Sequence, residues 1–202
     1  MVVLRLYFEK LTARTAFMDG KILDNGAING NDGKRLITVK TFVFISIALL
    51  VLSNIIISIV SFSNFLFIAS VVVFIWAAYL IKKMAHSNTI LISAVVTAIC
   101  QILATIIFIG EYNTLAIIFL LIYLEFTRRY YNELALLTSQ WLFKLIVYIR
   151  AAWTLAYIFN NIIFDTRTEI LTACIDFTAD TSIAVLIIAW IQTQKIAKKT
   201  NV

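Results

Sequence analysis

Residues 41–62 read TFVFISIALLVLSNIIISIVSF and carry no charge. As a helix, an apolar stretch of about 20 residues crosses the roughly 30 Å hydrocarbon core of a bilayer. Five more such runs follow, at about 64–82, 89–110, 112–127, 141–164 and 170–193. The 202-residue chain is 62% hydrophobic and only 14% charged. Soluble domains are nearer half apolar and a quarter charged. Mean hydropathy is +0.95. The runs predict an all-α, polytopic helical membrane protein with about six transmembrane helices and short loops, and a soluble core is not a competing reading. The fourth run is short, rising about 24 Å. It thins the bilayer locally or continues helically into Arg128 and Arg129.

Charge sets the expected orientation. All but three of the 17 basic residues fall at positions 5–40, 82–83, 128–129 and 195–199. Six crossings put those four clusters on one side. The other side carries Glu111, Asp165 and Glu169 with only Arg167. By the positive-inside rule both termini face the cytosol. A bacterial inner membrane fits best, and a mitochondrial inner membrane, with the matrix as the basic side, is the alternative. Trp76, Trp141 and Trp190 fall near the same boundary, where an aromatic belt is expected. The net charge of +6 is thus a topology signal. No nucleic-acid partner is expected, because no stacking platform or basic groove motif accompanies it.

Residues 1–40 form a separate polar segment ahead of the transmembrane domain, 41–202. Leu4, Phe8, Leu11 and Met18 share one helical face. That suits an amphipathic helix lying on the membrane or packed on the protein's own cytosolic side. The start lacks the basic, apolar, small-residue order of a signal peptide. Gly20–Gly33, GKILDNGAINGNDG, is turn chemistry and predicts a hairpin or loop. It lacks the alternating acids and terminal Glu of a calcium loop. Between runs four and five, Phe126, Tyr130, Leu134, Leu137 and Trp141 recur at helical spacing. Either an interfacial helix or an extension of span four would produce that pattern. Glu125–Arg129 and Arg129–Glu133 are i,i+4 pairs within it.

The chain has no proline and five glycines. Carriers that bind substrate at unwound helices usually interrupt their spans with these residues. Cys100 and Cys174 lie within apolar runs and read as small packing residues. His86, the only histidine, reads as a loop residue. No metal or cofactor is expected.

Lipid is as apolar as leucine, so membrane helices associate through small residues and interhelical hydrogen bonds. In span three, Ser93, Ala94, Thr97, Ala98, Cys100, Gln101, Ala104 and Thr105 share one side. Leu91, Ile92, Val95, Val96, Ile99, Ile102, Leu103 and Ile106 occupy the other. The first side should pack on protein, with Gln101 needing a polar partner near mid-bilayer. Span one shows a weaker stripe of Ser46, Ser53, Asn54, Ser58 and Ser61. Pore lining is the alternative use of both stripes.

The costly residues lie in the last two spans. Arg150, Thr154, Tyr157 and Asn161 form one stripe, and Glu169, Thr172, Asp176 and Asp180 form another. A hairpin closed at about residue 167 sets Thr154 level with Asp180 and brackets Asp176 with Tyr157 and Asn161. Arg150 would then lie within reach of Asp180. A central Asp costs about 2.5–3.5 kcal/mol on insertion, while each Leu, Ile, Phe or Val returns about 0.3–0.6. The last span is therefore marginal alone and should insert with a partner or with a protonated acid. Two nearby acids in low dielectric could also load and release a proton.

No Gly-x-Ser-x-Gly, His-bearing metal motif or phosphate loop occurs. Intramembrane aspartyl proteases place one acid on each of two helices, whereas these acids share one. No enzyme is expected. The sequence favours a non-catalytic, multi-pass subunit of a larger membrane complex. It would meet the lipid bilayer and either other membrane subunits or copies of itself. The alternative is an ion or proton channel or transporter using Asp176 and Asp180, and a third reading is a small membrane effector or immunity factor.

Overall fold

The structure, a computed structural model, describes residues 30–56, 60–109, 113–159 and 169–198. Those residues form six helices: α1 (Gly30–Ile55), α2 (Val60–Ala85), α3 (Asn88–Ile109), α4 (Asn113–Thr138), α5 (Leu142–Ile158) and α6 (Glu169–Gln192). Within them, Asp32–Ile55, Ser63–Ala85 and Ile175–Gln192 are long and apolar enough to cross a membrane. Asn88–Ala104 is a shorter apolar stretch. The amphipathic segment before Gly30 lies outside the described residues.

Two boundaries differ from expectation. Gly30–Gly33 belong to α1 rather than to a turn, and no described glycine has positive φ. The first helix therefore starts about ten residues before the apolar run does. The fourth run does continue helically: α4 spans 26 residues through Arg128 and Arg129 to Thr138. Its length is about 39 Å. Tyr130, Leu134 and Leu137 are buried on this extension, so that part of the 126–141 pattern is the inner face of α4 and not a separate interfacial helix, while Trp141 lies beyond its end and is exposed.

Each helix packs on its neighbours in sequence, and α1 also meets α6, so the contacts run in a closed circuit. Directions alternate around it. Ser46 Oγ–H donates to the Ser70 carbonyl (3.0 Å), and Ser63 Oγ–H donates to the Ser53 carbonyl (2.7 Å). Both bonds centre on the same point of the chain, as antiparallel helices require. The main core joins the start of α1 (Val39), the end of α2 (Ala85) and the start of α3 (Ile90). It also takes in the end of α4 (Leu134), the start of α5 (Phe143) and the end of α6 (Trp190). A smaller core of Ala104, Leu120 and Ile158 lies toward the other end. Reversal at the large-core end is tight. His86 and Ser139, directly after α2 and α4, both take φ of 55°. That left-handed residue turns the chain out of a helix in one step.

Small residues make the close approaches. Ala77, Ala78, Ala85 and Ala94 are fully buried. On α3 the inner side carries Ser93, Ala98, Cys100 and Ala104, all buried, while Ile92, Ile99 and Ile106 are at least half exposed. Between α1 and α2, Ser70 Oγ–H also donates back to the Ser46 carbonyl (2.9 Å), so the serines bond reciprocally. Interhelical bonds of this kind are worth about 0.6 kcal/mol on average and about 1.7 at most. A double-mutant cycle of Ser46→Ala and Ser70→Ala in detergent unfolding should return a coupling in that range. A coupling of zero would make the pair a bystander of backbone approach.

Trp76 and Trp141 are half or more exposed, as belt residues should be. Trp190 is not one of them. It is 1% exposed and packs edge-on against Phe143, with ring centroids 5.4 Å apart. Its ring fills the gap where α6 meets α5, which takes it out of the interface.

Candidate functional site

Within the circuit lies a partly open cavity of about 130 Å³ to which all six helices contribute. One part of the wall is apolar: Val43, Ile47 and Leu50 of α1, Phe67, Val71 and Phe74 of α2, and Leu186 of α6. The polar part comes mainly from α3, α4 and α5. Thr97 and Gln101 stand one turn apart on α3. Tyr123, Thr127, Tyr130 and Tyr131 recur at helical spacing on α4. Arg150 of α5 completes the set. It lies about 12 Å along α5 from Leu142.

Arg150 reaches α4, where its guanidinium donates to the Tyr123 phenol oxygen and feels the Tyr131 phenol nearby. Among the described residues it makes no ion pair with a carboxylate, and no acid lines the cavity. Thr97 Oγ1 and Thr127 Oγ1 are buried without a hydrogen-bond partner. Nearby polar groups are otherwise occupied. Thr154, fully buried, returns its hydroxyl proton to the Arg150 carbonyl (2.9 Å). Gln101 has a partner. Ser46 and Ser70 use each other.

The seam expected between the last two helices is therefore only partly assembled. Thr154 is buried, Arg150 is half-buried on the cavity wall, and Tyr157 is half-buried, stacked on Trp153 at 5.4 Å. Asp176 and Asp180 are exposed on the outer surface of α6, with Phe177 beside them 71% exposed. Arg150 does not pair with Asp180. Spacing along the chain aligned the two stripes by depth. It could not fix the rotation of α6 about its own axis, and that rotation turns the acids outward. Asn161 lies outside the described residues. Asn54 is exposed, so it does not belong to the α1 packing stripe that Ser46 and Ser53 form.

A second outward charge group sits on α4. Glu125 accepts from Arg128 Nε and from Arg129 Nε, each at 2.8 Å. The expected i,i+4 pair is thus made and an i,i+3 pair is added. Glu133, expected to extend the ladder, takes the hydroxyl proton of buried Ser87 at 2.6 Å and so ties the α2–α3 turn to α4.

The aromatic–hydroxyl stripe of α4 was legible as Tyr123, Thr127 and Tyr130 at spacings of four and three. Its partner on another helix was not. Among the described residues no group of His, Cys, Asp and Glu is placed to hold a metal ion. Comparison with protein-family models, with curated proteins and with solved structures finds no match to this chain.

Proposed function

We propose that this chain is a multi-pass integral membrane subunit that docks onto a partner helix through the acidic face of α6. The observation that carries this reading is the exposure of Asp176 and Asp180 on a helix apolar enough to span a bilayer. Asp180 lies about 18 Å from the Gln192 end, near the middle of α6. An acid left against lipid at that depth costs about 2.5–3.5 kcal/mol. Intramembrane charges almost always face protein, a partner charge or a water-filled space. The fitting partner is a membrane helix with a basic residue at matching depth.

Six crossings with both termini on the basic side accord with the alternation of the helices. The starts of α1, α3 and α5 meet the ends of α2, α4 and α6 in one core. Lys34, Arg35, Lys82, Lys83, Lys195 and Lys198 belong to that end by chain position. A bacterial inner membrane, or the equivalent mitochondrial membrane, fits this polarity.

The test is native isolation in mild detergent with mass determination of the complex. Wild-type protein should run as an assembly, and Asp176→Asn with Asp180→Asn should lose most of it while helicity persists. A monomer indifferent to both changes overturns the reading. The ion-path alternative predicts a different split: the Asn variants assemble normally but lose flux in liposomes.

A further inference from the structure

We propose that the central cavity is a binding site for a small organic monocarboxylate, held by Arg150. Three independent features of the cavity converge on this ligand class.

The first is charge. Arg150 is a permanent cation. It faces a partly open cavity in a mostly apolar bundle, with phenols beside it and no acid on the cavity wall among the described residues. Arg150 is half-buried, and a cation partly withdrawn from water without a counterion is disfavoured, so an anion that enters relieves it. One arginine balances one negative charge. A planar carboxylate matches the guanidinium fork, which donates two parallel hydrogen bonds.

The second is the pair of orphaned hydroxyls. Thr97 Oγ1 and Thr127 Oγ1 are buried, unpartnered and on the same cavity wall. Each can donate to an oxygen in the space between α3, α4 and α5. A native core seldom leaves buried hydroxyls unused.

The third is shape. Opposite the polar groups, the wall is made of aliphatic and phenyl side chains from α1, α2 and α6. A pocket with a few convergent polar groups and an apolar remainder takes a ligand with a charged head and an apolar body. An inorganic anion would leave that remainder empty, and a dicarboxylate would bring a second charge with nothing to meet it. This inference is independent of the α6 acids, which lie outside the circuit.

The experiment uses the full chain in lipid nanodiscs, with hexanoate as probe and hexanol as its uncharged counterpart. Hexanoate should raise the unfolding temperature saturably, and hexanol should not. Arg150→Gln should weaken hexanoate binding at least tenfold. Because losing the Arg150 contacts can itself impair folding, Thr127→Val is the second arm. It is isosteric and removes a hydroxyl with no partner, so the unliganded protein should fold as well as wild type. It should nevertheless bind hexanoate several-fold more weakly. Equal protection by hexanol, or hexanoate binding unchanged in both variants, overturns the proposal. A parallel arm with palmitate in the bilayer separates sources. Competition between palmitate and hexanoate supports a lipid-derived acid, and hexanoate binding without it supports one from the aqueous side.

Discussion

Trp190→Ala is expected to destabilise the protein by at least about 2 kcal/mol. The ring is 1% exposed, packs edge-on against the fully buried Phe143, and contributes to the cavity wall. Truncating a buried tryptophan typically costs about 3–5 kcal/mol, from lost transfer energy and from the void left behind. In a bilayer the transfer part shrinks, because the unpacked side chain meets lipid rather than water. The void and the lost edge-to-face contact, itself about 0.5–1.5 kcal/mol, remain. For a chain of this size the loss corresponds to a fall of about 4–8 °C in Tm. Circular dichroism on heating in detergent measures it. Trp76→Ala is the control. Trp76 is 50% exposed, and the change should stay within about 0.5 kcal/mol. If the two variants fell equally, Trp190 would not be a core residue in solution.

Ala94→Leu tests the opposite error, excess volume. Ala94 is fully buried on the small-residue side of α3, within the core that joins all six helices. Three added carbons there have no space and must push a neighbouring helix away. Overpacking of this kind costs about 1–3 kcal/mol. The upper half of that range is expected, because alanines at Ala77, Ala78 and Ala85 already keep the core tight. Ile99→Leu, on the half-exposed outer side of the same helix, should change nothing measurable. Chemical unfolding in mixed micelles separates the two. A tolerant Ala94→Leu would mean that α3 is free to shift.

Much of the architecture was readable because the bilayer simplifies the physics. A run such as residues 41–62 has few options other than a helix, since an unpaired backbone polar group in hydrocarbon costs several kcal/mol. The inner and outer sides of α3 were readable for a related reason. Small residues on one side and isoleucines on the other leave a single sensible rotation. On α6 the same logic misled. Its acids were assigned inward because charge avoids lipid, but that rule does not fix which side of the helix meets the other five. Trp190 misled similarly. A tryptophan near a helix end suits an interface by statistics, and only the position of Phe143 on another helix reveals that it is enclosed. The cavity was hardest to foresee. Arg150 and the α4 stripe of Tyr123, Thr127 and Tyr130 were both visible, but their meeting depends on the order of helices around the circuit, which periodicity does not encode.

The closed circuit also has a consequence for how the protein is made. Each hairpin can form as soon as its second helix leaves the ribosome, because its partner is the helix just before it. Local contacts of this kind form fast. The joint between α1 and α6 is the exception, since its two sides are synthesised first and last. There the Lys40 ammonium donates to the Ile191 carbonyl at 3.2 Å. Until α6 arrives the nascent chain is an open arc whose small-residue inner side is not yet covered. That makes the stage before closure the one most exposed to wrong partners and to proteolytic surveillance. The last helix, which carries the most awkward charges, is thus also the one that ends the vulnerability.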